Sequence, residues 1–175
     1  MSRLFTSLGA SLLATGLVFA ETPAPATLGV GSKAPEFKFK DQTGKEIDLA
    51  KLVTNGPVLL RLTCGCSGCD KELAYFQEID AAYKKAGLTS VAIFREPDAK
   101  VAKYAADKQI NMVYGVDSKG SAWSTFQTKT MPSNFLIGKV GDILAISFRC
   151  DPRGPIPTQL SEQIAPALQP EPFDV

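Results

Sequence analysis

The chain has 175 residues, of which 45% are apolar and 21% are charged, values that fit one globular domain and exclude a disordered chain. Its 19 basic and 18 acidic residues give a net charge of +1, so we expect no nucleic-acid partner. The chain has no histidine, which excludes Cys-His and Ser-His nucleophile pairs and histidine-ligated zinc, copper or haem.

Residues 1–20, MSRLFTSLGASLLATGLVFA, have the pattern of a secretory signal peptide. Arg3 supplies the positive start, an uncharged run follows, and Val18-Phe19-Ala20 forms a small-x-Ala cleavage site. An uncleaved membrane anchor is the alternative. No other apolar run is long enough to span a bilayer. We therefore expect a periplasmic or secreted protein, without a stable membrane span after cleavage, in a compartment where disulfides persist.

The mature chain is predicted to hold a Pro/Ala-rich tether at 21–29, one domain at 30–168 and a loose tail at 169–175. Alternating or continuous apolar runs predict strands, and 3.6-residue spacing predicts helices. In chain order these are strands at 36–40 and 57–63, a helix ending at Gly87, a strand at 89–94, a helix capped by Asp98, a hairpin of strands 133–138 and 142–148, and a helix at 158–169. This order predicts a mixed sheet with helices on both faces.

Three of the four cysteines lie in TCGCSGCD, residues 63–70, and the fourth is Cys150. Cys66 and Cys69 stand between a buried strand and a helix, where helix N-terminal N–H groups and the macrodipole favour a thiolate. Two intervening residues let the sulfurs meet, so we predict a redox pair in which Cys66 attacks and Cys69 resolves. Half of a zinc site and a structural disulfide are the alternatives.

Three segments have a family-like pattern: VGSKAPEFKFKDQTGKEIDLAKL, PVLLRLTCGCSGCDKEL and TMPSNFLIGKVGDILA. In these segments the chain resembles the redoxin branch of the thioredoxin-fold superfamily, which includes TlpA/ResA-like thiol–disulfide oxidoreductases and AhpC/TSA peroxiredoxins. It implies an α/β, thioredoxin-like three-layer sandwich with a mixed central sheet, in which Cys66 and Cys69 form the CxxC pair. It also implies that Pro132 is a cis-proline and that Met131 and Pro132 bind the substrate. The expected partners are protein thiols or disulfides and an upstream redox partner, with no cofactor.

Two departures from the family pattern stand in the cysteine loop. Gly65 replaces the tryptophan before the first cysteine of the pair, and Ser67-Gly68 replaces Gly-Pro between the cysteines. A peroxiredoxin-like peroxidase is the second enzymatic interpretation. Thr63 lies three residues before Cys66, as that chemistry requires, but Leu59 replaces the family's proline and no arginine precedes NFLIG.

Arg61 lies within a predicted buried strand, where a cation needs a partner. The candidates are Glu36 or Asp48, and a position near the thiolates would lower their pKa. A head group that reaches solvent from a strand end is the alternative. We expect Trp123 and Phe126 to pack in the core; an apolar docking rim near the active site is the alternative.

The two remaining cysteines, Cys64 and Cys150, follow strands whose ends are expected at the same edge of the sheet. We predict that they can pair, as a clamp on the active-site loop or as a relay for the Cys66–Cys69 disulfide; a free Cys150 is the alternative. A non-catalytic thioredoxin-fold module is the third functional hypothesis. In it, Cys64, Cys66, Cys69 and Cys150 would hold a soft metal such as Cu(I) or zinc.

Overall fold

A five-stranded mixed sheet forms the centre of the protein, and the computed structural model describes residues 27–148 and 153–163. The strands are β1 (Lys38–Lys40), β2 (Glu46–Asp48), β3 (Val58–Thr63), β4 (Thr89–Phe94), β5 (Val113–Val116), β6 (Ser133–Ile137) and β7 (Ile143–Ser147). The helices are α1 (Leu49–Asn55), α2 (Ser67–Tyr83), α3 (Asp98–Asp107), α4 (Ser121–Thr125) and α5 (Pro155–Gln163). The sheet order is β5-β4-β3-β6-β7; β3, β4 and β5 run parallel, and β6 and β7 each run antiparallel to their neighbours.

The central strand β3 is buried along its whole length because both faces of the sheet are covered. Val58, Leu60 and Leu62 point to a core shared with α1 and α4, whereas Leu59 points to a second core shared with α2, α3 and α5. Helices therefore cover both faces, and the predicted three-layer sandwich with a mixed sheet is confirmed.

Strand register brings three loops together at one edge of the sheet. β3 ends at Thr63, which pairs with Phe94 at the end of β4. On the other side, Leu62 pairs with Ser133 at the start of antiparallel β6. The cysteine loop after β3 thus lies between the residues that follow β4 and Met131-Pro132, which precede β6.

Four short elements, β2, α1, β5 and α4, were not predicted from the pattern. In β5, Gly115 interrupts the apolar run because Phe39 of β1 packs against it; a Cβ at Gly115 would lie 2.6 Å from the Lys40 carbonyl oxygen. In α1, Asp48 is the N-cap and its Oδ1 accepts the Ala50 N–H at 3.0 Å.

The predicted helix ends need two corrections. Pro97 is the N-cap of α3 and Asp98 is its first residue. Gly87 ends the segment as predicted, with φ of 90°, but α2 stops at Tyr83 and a short 3₁₀ turn, Lys84–Ala86, lies between them.

Several predictions fall outside the described residues: the signal peptide at 1–20, most of the tether, Cys150, the end of the last helix and the tail at 169–175. Within the described ranges, no helix has both the length and the apolar character needed to cross a membrane.

Candidate functional site: a cluster of three cysteines

Cys66 occupies the N-cap position of α2. Its backbone is extended (φ −86°, ψ 159°), and its carbonyl accepts the first helical hydrogen bond, from the Asp70 N–H at 2.9 Å. A Cβ placed on Gly68 would lie 4.0 Å from Cys66 Sγ, so the sulfur lies against the first helical turn. The N–H groups of that turn lack helical acceptors and favour an anionic sulfur. Cys66 is exposed, as an attacking thiol must be.

The three sulfurs of the loop form one cluster. Cys64 and Cys66 are disulfide-bonded, Cys64 Sγ lies 3.3 Å from Cys69 Sγ, and all three sulfurs lie within 4.8 Å of one another. The predicted partners Cys66 and Cys69 are therefore brought together, but the bond joins Cys66 to Cys64. The three sulfurs would also supply a soft metal with three ligands. The predicted pairing of Cys64 with Cys150 lies outside the described residues.

Accessibility differs sharply within the cluster. Cys69, one turn into α2, is only 3% exposed, whereas Cys64 is half-buried and Cys66 is exposed. Cys69 is therefore suited to react with another cysteine of the chain rather than with an external molecule.

Glu96, two residues after the end of β4, anchors the cysteine loop. The Gly65 N–H, between two cysteines, donates to Glu96 Oε1 at 2.8 Å, and Lys100 Nζ lies 3.6 Å from the same oxygen. Glu96 Oε2 is buried and has no hydrogen-bond partner among the described residues. Glu96 was not predicted from the sequence; its place just after β4, at the edge where the cysteine loop begins, was the available signal.

Tyr104 of α3 explains the glycine at the position of the family's tryptophan. A Cβ on Gly65 would lie 3.3 Å from Cγ and Cδ2 of the Tyr104 ring, so this ring takes the space of a side chain at position 65. The Tyr104 hydroxyl donates to Asp70 Oδ1 at 2.9 Å, and Lys108 Nζ donates to Asp70 Oδ2 at 2.8 Å. These bonds tie the first turn of α2 to α3.

The same contacts perturb two ionisable groups beside the cysteines. Burial raises the pKa of Tyr104 well above its ordinary value, and its bond to the Asp70 carboxylate raises it further. The hydrogen bonds from Lys108 and Tyr104 lower the pKa of Asp70. Tyr104 therefore stays a neutral donor and Asp70 a charged acceptor at neutral pH.

Arg61 is 2% exposed and lies between β3 and α2. Its acid partner is Glu72, at 3.4 Å, and not Glu36 or Asp48, because α2 places Glu72 over the strand while Asp48 caps α1 and pairs with Lys38. The guanidinium therefore lies beneath the helix and does not reach solvent as a strand-end head group would.

Further contacts tie Arg61 to the cysteine loop. Its guanidinium donates to Asn134 Oδ1 at 3.1 Å and to the Cys69 carbonyl at 3.2 Å, and it stacks 4.1 Å from the Phe76 ring centroid. Arg61 thus fixes the backbone of Cys69, while a direct effect on thiol ionisation stays a prediction.

Met131 and Pro132 lie beside the cysteine loop and are joined by the predicted cis peptide bond. Pro132 is buried and immediately precedes Ser133, the register partner of Leu62. The Ser133 hydroxyl donates to the Thr130 carbonyl at 2.8 Å, which fastens this turn. The role of Met131 and Pro132 in substrate binding stays a prediction.

The structure also shows the surroundings of Trp123, Phe126 and Thr63. Trp123 and Phe126 are 5% and 1% exposed and belong to the α1/α4 core, as expected for packing residues. The Thr63 hydroxyl donates to the adjacent Cys64 carbonyl at 3.4 Å, so its observed contact is to the loop backbone.

Comparison with known proteins places the chain among redox proteins. A family model described as AhpC/TSA matches residues 30–146. The thiol-disulfide oxidoreductase ResA of Geobacillus kaustophilus is 30% identical over 120 residues, 68% of this chain and 69% of that protein. A Mycobacterium tuberculosis protein described as peroxiredoxin MT1643 is 27% identical over 123 residues, 69% and 77% of the two chains. A solved structure described as the thiol:disulfide interchange protein DsbE of Chlorobium tepidum superposes with a TM-score of 0.70 at 27% identity, covering 81% of this chain and 99% of that chain.

Proposed function

The chain belongs to the AhpC/TSA family, and on that premise we propose that it is an exported thiol–disulfide oxidoreductase that exchanges disulfides with protein partners through Cys66 and Cys69. One observation carries the proposal. An exposed cysteine caps the N-terminus of α2, and a buried cysteine follows one helical turn later. This arrangement separates an attacking thiol from a protected resolving thiol.

The reaction conserves sulfur bonds and electrons at each step. The Cys66 thiolate attacks one sulfur of a partner disulfide, a mixed disulfide forms, and the partner's other sulfur leaves as a thiolate. Attack on Cys66 Sγ by the resolving thiol, Cys69 in the proposed pair, then releases the partner as a dithiol and leaves the pair oxidised. An upstream redox partner resets the pair, and the reverse sequence oxidises a dithiol partner.

Met131 and Pro132 are proposed to position the partner. They immediately precede β6, next to the end of β3 from which the cysteine loop emerges. Backbone groups at that edge would bind an extended partner segment as an added strand, which would present its disulfide to exposed Cys66.

Limited alkylation of the fully reduced protein tests the assignment of the attacking thiol. Below neutral pH, substoichiometric iodoacetamide should modify Cys66 before Cys69, since exposure and the helix N-terminus both favour it. All three clustered cysteines lie in one tryptic peptide, residues 62–71, so fragmentation of that peptide locates the label. Equal modification of Cys66 and Cys69 would refute the assignment.

An activity measurement provides the second test. Cys66→Ser should abolish reduction of insulin disulfides, because no exposed thiol remains at the helix start. Ser67→Ala, one residue away and also exposed, is the matched control and should retain activity. Retained activity in Cys66→Ser would refute the mechanism.

Export rests on the sequence of residues 1–20 and has a separate test. N-terminal sequencing of the protein recovered from the periplasm or medium should begin at Glu21. Recovery of the intact N-terminus from the membrane fraction would favour the uncleaved anchor instead.

A further inference from the structure

The CxxC interpretation leaves Cys64 without a function, but the structure places it in direct contact with the other two cysteines of its loop. It is bonded to Cys66, with a Cα–Cα distance of 5.4 Å that lies in the usual disulfide range. Its sulfur also lies 3.3 Å from Cys69 Sγ. Two sulfurs, those of Cys64 and Cys69, are therefore within 4.8 Å of the proposed attacking sulfur.

The loop backbone holds Cys64 in this position. Gly65 donates its N–H to Glu96 Oε1 at 2.8 Å, and the Tyr104 ring packs against Gly65 from the other helix. This glycine, between Cys64 and Cys66, is thus fixed by the segment that follows β4 and by α3. The contacts that hold the residue between Cys64 and Cys66 therefore do not involve Cys69.

We propose that Cys64 is a second resolving thiol, so that either Cys64 or Cys69 can close the disulfide on Cys66; this inference rests on the proposed function. In a mixed disulfide between Cys66 and a partner, the Cys64 thiolate attacks Cys66 Sγ. The bond between Cys66 and the partner breaks, the Cys64–Cys66 bond forms, and the partner leaves as a thiolate that takes up a proton from water. One disulfide and one thiolate stand on each side of the step, and no further oxidant is needed.

Cys64 is half-buried and Cys69 is buried, so the two proposed resolving thiols lie in different surroundings. Cys64 lies in the loop between β3 and α2, whereas Cys69 lies within α2, so different elements of the fold hold the two thiols. Loss of Cys69 alone should therefore not trap a partner, as it would in a protein with one resolving cysteine.

Ellman's reagent supplies a partner-independent test, in a Cys150→Ser background that removes the fourth cysteine. Attack by Cys66 releases one thionitrobenzoate and leaves the second on the protein, and a resolving thiol then releases the second. Cys69→Ser should still release the second equivalent, read at 412 nm. Cys64→Ser/Cys69→Ser should retain it as a mixed disulfide, with release slowed at least ~100-fold, because an intramolecular thiol far exceeds an added one in effective concentration.

The outcomes separate the two proposals. Retention of the adduct by Cys69→Ser, as in the double variant, would overturn the role of Cys64. Adduct formation that does not depend on Cys66 would instead refute the proposed function. Cys69→Ala is tested alongside, because a buried serine can destabilise the fold, and circular dichroism confirms that each variant is folded.

The unaltered protein gives an independent measurement. After one reaction cycle and an acid quench, free thiols are blocked with N-ethylmaleimide, disulfides are reduced, and the released thiols are labelled with iodoacetamide. Maleimide then marks thiols that were free, and acetamide marks those that were in a disulfide. Maleimide on Cys69 with acetamide on Cys64 and Cys66 therefore demonstrates closure by Cys64. Maleimide confined to Cys64 would mean that Cys69 closes the disulfide in every molecule, which would overturn the role of Cys64 as a second resolving thiol in the unaltered protein.

Discussion

Replacing Arg61 with methionine should destabilise the protein more than any nearby surface change. The guanidinium is 2% exposed and donates to Asn134 Oδ1 and to the Cys69 carbonyl, while Glu72 lies 3.4 Å away. Methionine fills much of the same volume against Phe76 but donates no hydrogen bond. The carboxylate, the amide oxygen and the carbonyl would each lose this donor.

The expected cost follows from the geometry of the pair. Removing one partner of a buried ion pair costs about 3–5 kcal/mol. The Glu72 side chain is 19% exposed and the two N–O distances to it are 3.4 and 3.5 Å, so partial rehydration places the cost near the lower end, about 3 kcal/mol. Glu72→Gln keeps an acceptor for Arg61 and should cost less, about 1–2 kcal/mol.

Urea unfolding of the reduced protein at neutral pH measures these differences. A loss of about 3 kcal/mol also corresponds to a fall in Tm of roughly 6–12 °C for a chain of this size. The double variant Arg61→Met/Glu72→Met should be more stable than Arg61→Met, because the uncompensated carboxylate is then absent.

Lys103→Met is the matched control. It breaks an exposed pair with Asp107 at 2.9 Å and should cost less than about 0.5 kcal/mol. Two results would refute the reasoning: an Arg61→Met variant within about 1 kcal/mol of the parent, or a double variant less stable than that single one.

Three further predictions concern the surroundings of the cysteines. Gly65→Trp should destabilise the protein by about 1–3 kcal/mol in urea unfolding, because the Tyr104 ring occupies the space of the new side chain. Adding Tyr104→Ala to this variant should relieve the cost. If the two substitutions destabilise additively, the steric explanation is contradicted. The pKa of Asp70 in the folded protein is lowered from 3.8, so the charged carboxylate stabilises the folded state above that value, and this stabilisation is lost as pH falls through the lower folded-state pKa. Asp70→Asn should therefore weaken the dependence of unfolding on pH between pH 5 and 2. An unchanged pH profile would count against this. Peroxide consumption, followed with an electrode, should be slow because the Thr63 hydroxyl contacts the loop backbone; fast consumption abolished by Cys66→Ser would favour the peroxidase instead.

Sequence patterns predicted the parts of the fold whose signals are local. A continuous apolar run marks β3, since both of its faces are covered, and helical spacing marks α2. Strand β5 was missed because its signal is not local: Gly115 weakens the strand pattern and is explained only by Phe39 packing against it from β1. Helix α4 has five residues, too few for a periodic pattern to emerge.

The distinction between local and long-range signals applies to the cysteine site as well. The place of Cys66 and Cys69 between a strand and a helix follows from neighbouring residues. Glu96 and Tyr104, which fix the loop, lie more than thirty positions after Gly65, and no spacing rule connects them to the cysteines. The acid partner of Arg61 was misassigned for a related reason. Its choice depends on how α2 crosses β3, which three-dimensional packing decides.

The disulfide of Cys64 is a feature that the family pattern did not predict. That pattern assigns Cys66 and Cys69 to each other, whereas the structure bonds Cys66 to Cys64. The predicted pairing of Cys64 with Cys150 lies outside the described residues. The chain leaves β3 at Thr63 and reaches Cys66, the N-cap of α2, three residues later, with a bend at Gly65. That bend brings Cys64 and Cys66 to a Cα–Cα distance of 5.4 Å. A side chain at position 65 would meet the Tyr104 ring, so the glycine that replaces the family's tryptophan lets the segment between Cys64 and Cys66 pack closely against α3. Because Gly65 joins the two cysteines, Gly65→Trp should displace this segment and hinder formation of the Cys64–Cys66 disulfide as well as lower stability.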